Sequence, residues 1–78
     1  MTSDQDVTPS VFENAVLCAE RGWKANFYWK SGEKVLDAFI TAMDEQKKVV
    51  VIERPGERDR PPRVVYLHEV EKVDPVWS

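Results

Sequence analysis

A chain of 78 residues is one small domain, and at this size only about 60% of the surface exposed by the unfolded chain is buried on folding. Eleven Lys and Arg against fourteen Asp and Glu give a net charge of −3, which argues against a domain held on nucleic acid by bulk charge. One cysteine, Cys18, excludes an intrachain disulfide and suits a reducing compartment, so the expected location is the cytoplasm.

His68 and Cys18 are too few soft ligands for a zinc site without many carboxylates, so no metal or cofactor is expected. No apolar run approaches the ~20 residues of a membrane span, and the polar, acidic start of the chain does not read as a signal peptide. Small scaffolds lean on disulfides, metals or partner subunits, and the partner subunit is the support left open.

Residues 1–8 read as a flexible tail. Two helix starts compete: Ser10 with Glu13 at capping-box spacing, or Thr8 followed by Pro9 as the first helical residue. Phe12, Ala15, Val16 and Ala19 recur at helical spacing and predict the buried stripe. Gly22 is a natural terminator. Trp23, Ala25, Phe27 and Trp29 then alternate with Lys24, Asn26, Tyr28 and Lys30, the pattern of a half-buried strand.

Ser31–Glu33 is a tight turn around Gly32. Residues 34–43 are apolar with one Asp, and their β-branched and aromatic content favours a second strand. A turn at 44–47 leads to a third strand at 48–53. A charged, proline-rich loop at 55–62 leads to a fourth at 63–68, and 70–73 is a short fifth stopped by Asp74-Pro75. The expected fold is mainly β: an N-terminal helix and a five-stranded SH3-like small barrel over residues 9–75, with residues 76–78 as a C-terminal tail. Val64 to Leu67 carries nothing that blunts a sheet edge, so this strand lies inside the sheet or pairs with another chain.

Several segments together resemble the Sm-like fold: the helix with Phe12-Glu13-Asn14-Ala15, the Tyr28 to Gly32 turn, Met43-Asp44, and Tyr66-Leu67-His68 followed by Val70 to Pro75. Within that fold the chain resembles the Hfq family of bacterial RNA chaperones. The resemblance implies an Sm-like barrel that forms a homo-oligomeric ring and handles single-stranded RNA. It implies RNA contacts at Tyr28, Lys34 and His68; strand alternation adds Lys30 on the Tyr28 face, and the arginine-rich loop adds Arg58 and Arg60 as auxiliary phosphate ligands. The implied subunit interface pairs Val64, Val65, Tyr66 and Leu67 with Val70 and Val73 of a neighbour.

Of the residues that form that family's uridine pocket only His68 is kept, and Asp37 stands where its second strand bends at a glycine. The chain also resembles the small acidic Rho inhibitors of the Rof type, through Cys18 and Lys30-Ser31-Gly32-Glu33-Lys34. That resemblance implies a protein-binding module that docks on a larger nucleic-acid machine and does not itself bind RNA.

Each feature also has a plainer reading. His68 reads equally as a strand histidine donating to a neighbouring carbonyl. The arginine-rich loop reads as a solvated tip, because Glu53, Glu57 and Asp59 interleave with its cations. Trp23 and Trp29 share the apolar face and read as core, and Cys18 as buried filler. No catalytic set or phosphate-cradling glycine loop is present, so no enzyme activity is expected.

Overall fold

The computed structural model describes residues 7–54 and 61–76. Helix α1 (Pro9–Arg21) is followed by β1 (Lys24–Trp29), β2 (Lys34–Asp44), β3 (Val49–Glu53), β4 (Arg63–Tyr66), a 3-10 turn (Leu67–Glu69) and β5 (Val70–Val76). All pairings are antiparallel, in the order β4-β3-β2-β1-β5. This is the expected helix and five strands, consistent with Sm-like topology. No ladder joins β4 to β5, so both strands are edges of the sheet among the described residues.

Of the two candidate helix starts, the second is the one found. Thr8 caps with no side-chain bond, Pro9 opens the helix, and the Phe12 N–H donates to the Thr8 carbonyl at 3.1 Å. The Ser10/Glu13 capping box is not formed. At the other end Gly22 sits at φ 69, and the Trp23 N–H reaches back to the Cys18 carbonyl at 3.1 Å, a Schellman closure. Gly22 has open space around it, so only its left-handed φ demands glycine.

The buried helix line is Val11, Ala15 and Cys18 rather than the expected Phe12, Ala15, Val16 and Ala19. Both sets have helical spacing. The sheet contact selects the Val11 line, and Phe12 packs half-buried beside it. Asn14 fixes the rotation by donating from Nδ2 to the Val73 carbonyl of β5 at 2.9 Å.

Beneath the helix, β1 buries Ala25, Phe27 and Trp29 as its alternation requires. Ala38 of β2, Val50 and Ile52 of β3, Val65, Leu67, Val70 and Val73 complete the core. No described polar or charged residue is buried.

Three boundaries differ from the sequence expectation. The fourth strand stops at Tyr66: the Leu67 N–H still donates to the Lys48 carbonyl (3.0 Å), the next rung of the β3–β4 register, and the chain then enters the 3-10 turn. The fifth strand runs on through Pro75 to Val76. Proline is tolerated there because β5 is an edge strand with one ladder partner. Val7 packs on the core and Val76 belongs to β5, while residues 1–6 and 77–78 lie outside the described residues.

The bend of β2 falls at Asp37, which adopts φ 57. Between the pairs Ala25–Ala38 and Phe27–Val35 the second strand carries one extra residue, a bulge. The Asn26 Oδ1 accepts from the Asp37 N–H at 2.9 Å and satisfies the donor that the bulge frees.

Cys18 is 1% exposed, and desolvation pushes its thiol pKa up. The folded state therefore holds this proton more tightly than the unfolded state. Its contribution to stability is full below the unfolded thiol pKa and is lost as pH rises through the folded value. We expect the urea midpoint of the native chain to fall more between neutral pH and pH ~10 than that of Cys18→Ala. Parallel loss in the two proteins would show that other groups carry the alkaline slope.

Candidate nucleic-acid interface

The outward-facing residues of β1 are Lys24, Asn26 and Tyr28, opposite in phase to its buried three. Strand register places neighbours beside them. Tyr28 lies between Lys34 of β2 and Lys72 of β5, and Lys24 lies beside Phe39 of β2. Cross-strand partners share a face. The outer surface of β5-β1-β2 therefore carries two half-buried aromatic rings, each with its own cation. Lys72 Nζ is 6.0 Å from the Tyr28 ring centroid, and Lys24 Nζ is 5.9 Å from that of Phe39.

Four residues of extended chain separate Tyr28 from Lys24, about 13 Å at ~3.3 Å per residue. Two carboxylates share the surface. Asp74 pairs with Lys72 at 3.3 Å, and Asp37 sits at the bulge. Rings with flanking cations on an open sheet can stack bases and hold the phosphates between them.

The six RNA-contact residues expected from sequence do not form one site. Tyr28 and Lys34 are adjacent on the outer face. Lys30 and His68 are elsewhere, in a groove of about 490 Å3 between the β1–β2 turn and the 3-10 turn, lined also by Trp29, Glu33, Arg63 and Glu69. His68 is half-buried in the 3-10 turn, not in a strand, with its ring 6.1 Å from that of Tyr66. The backbone closes the groove where the Lys30 N–H donates to the Glu69 carbonyl at 3.0 Å. Arg58 and Arg60 lie outside the described residues.

Sequence reasoning placed Lys24 beside Tyr28 on the outer face but missed Lys72 and Phe39. Alternation within β1 was visible, but the cross-strand register that adds β2 and β5 was not.

One wall of the groove is a brace. Arg63, the first residue of β4, lays its guanidinium over the Trp29 ring at 4.5 Å and forks onto Glu33 at 2.7 and 2.9 Å. The hydrogen bonds from Arg63 hold the Glu33 carboxyl below its ordinary pKa. The brace ties β4 to the β1–β2 turn across two intervening strand positions, so the sheet is curled. It also occupies Arg63, which leaves this arginine committed to structure.

The residues expected at a subunit interface divide in two. Val65, Leu67, Val70 and Val73 are within the chain's own core. Val64 and Tyr66 face out from the edge strand, 50% and 49% exposed. A neighbour pairing along this edge would therefore meet the side chains of Val64 and Tyr66, while the other four stay in the core.

No group of His, Cys, Asp and Glu among the described residues could hold a metal ion. No helix there is long and apolar enough to cross a membrane. Compared with protein-family models, with curated proteins and with solved structures, the chain has no match in any of the three.

Proposed function

We propose that the chain is an Sm-like small barrel whose homo-oligomeric ring handles single-stranded RNA on the outer face of β5-β1-β2. The ring forms as β4 of one copy adds to β5 of the next. The observation that carries this reading is Tyr28 set between Lys34 and Lys72, with the Phe39–Lys24 pair on the same face. Stacking on each ring contributes about 1–3 kcal/mol per base, with little sequence preference.

The chain is not assigned a catalytic role. Its net charge of −3 makes binding depend on the local face and not on long-range attraction.

Fluorescence anisotropy with A-rich and U-rich oligonucleotides, at several salt concentrations, tests the site. Lys34→Glu combined with Lys72→Glu is expected to weaken binding about tenfold or more, and to flatten the log–log salt slope by about 1–2 units. Unchanged affinity would move RNA off this face. Light scattering in the same samples reads the assembly, and a monomer would sink the ring.

A second reading has its own support. Val64 and Tyr66 stand exposed on an edge strand, and the chain is acidic. Both suit a module of the Rof kind that docks on a protein of a nucleic-acid machine. A stable monomer that ignores oligonucleotides would favour it.

A further inference from the structure

The surface of α1 that faces away from the sheet is not inert. Phe12, Val16 and Leu17, all half-buried, floor a groove of about 310 Å3. Its rim carries Glu13 and Glu20 from the helix and Glu45 from the β2–β3 turn. None of these three carboxylates has an ion-pair partner among the described residues. Lys48, at the Phe12 end, is held in place: its Nζ lies 4.6 Å over the Phe12 ring and donates to the Glu45 carbonyl at 2.8 Å.

The groove follows the helix axis from Phe12 to Glu20, about 12 Å at ~1.5 Å per residue. Its apolar floor, Phe12 to Leu17, is about 7.5 Å long, and a floor flanked by carboxylates from two elements matches one kind of occupant. We propose that this groove receives a basic amphipathic helix of a partner protein. Apolar side chains at i, i+3 or i+4, and i+7 of that helix meet Phe12, Val16 and Leu17. Its lysines or arginines meet Glu13, Glu20 and Glu45.

Charge discriminates among the other occupants. Nucleic acid and anionic lipid are repelled by the rim. A second copy packed here with two-fold symmetry sets Glu13 and Glu20 against their own counterparts, which is unfavourable. The surface is independent of the RNA reading, because it lies on another element and has the opposite charge. It also gives the protein-docking reading a face distinct from the β4 edge.

The test uses the full chain, isotopically labelled, titrated with a synthetic Leu/Lys amphipathic peptide of about four helical turns. A peptide of the same composition with scrambled order is the control. Amide shifts are expected in α1 and the β2–β3 turn, with the scrambled peptide binding about tenfold or more weakly. Glu13→Lys combined with Glu20→Lys should weaken binding about tenfold, while circular dichroism and oligonucleotide affinity stay unchanged. Leu17→Ser should weaken it at unchanged charge.

Equal binding of both peptides would show charge attraction alone and overturn the proposal, as would shifts centred on Tyr28 and Lys34. No binding up to about 1 mM peptide, which means an affinity weaker than about −4 kcal/mol, also overturns it. Shifts in α1 that grow with protein concentration in the absence of peptide would assign the groove to a second copy instead.

Discussion

Phe27→Ala is expected to remove about a third or more of the stability of the fold. The ring is 0% exposed and lies 6.1 Å from Trp29 at the centre of β1. Removing a buried Phe costs about 3–5 kcal/mol, from lost transfer energy and from the cavity left behind. A domain of this size has in total about 4–12 kcal/mol to lose, at ~0.05–0.15 per residue. Neighbouring Tyr28 faces outward, so Tyr28→Ala should cost less than about 1 kcal/mol. Urea denaturation followed by circular dichroism reads both. Similar midpoints for the two variants would mean that the strand does not divide into a core face and an outer face.

Asp37→Val is expected to destabilise by about 1–3 kcal/mol although the site is exposed and no packing is lost. The cause is the backbone. Asp37 holds φ 57, which Asp tolerates and a β-branched residue does not. Asp37→Gly should instead be neutral or stabilise by up to about 1 kcal/mol, since glycine enters this conformation without strain. Thermal melts of the three proteins decide it. If Val and Gly shift the midpoint equally, the bend at this residue is not what limits stability.

The sequence was most informative where a period changed. Helix spacing up to Ala19, then strict alternation from Trp23 to Trp29, located α1 and β1 to within about one residue. Gly22 and Gly32 marked the turns because their φ of 69 and 99 are conformations that other residues avoid. What alternation cannot convey is register. The outer face became legible only when pairing placed Lys72 beside Tyr28 and Phe39 beside Lys24.

The strand ends were misjudged for a related reason. Val65, Leu67, Val70 and Val73 are all buried, so the apolar pattern runs straight across the 3-10 turn at Leu67–Glu69, which no glycine or proline announces. Asp74-Pro75 read as a stop because proline cannot donate in a ladder, but at an edge that loss falls on the unpaired side. His68 joins Tyr28 only through resemblance, and Lys30 only by carrying the alternation of β1 one step past its end. The fold puts them in another groove, beside an arginine already engaged by Glu33 and Trp29.

The far end of β5 also controls how chains can be joined. Residues two apart on a strand send their backbone groups to the same side. Val73 gives its carbonyl to Asn14 of the helix, and Pro75 has no N–H to give. Half of this seven-residue strand is thereby closed to an incoming backbone, leaving the stretch from Val70 to Lys72. An arriving strand that slid toward Val76 would meet a helix and then a proline. In the proposed ring this edge would act as a ratchet stop, admitting a short segment such as the four residues of β4 in one alignment and disfavouring the long, slipped ladders from which fibrils grow.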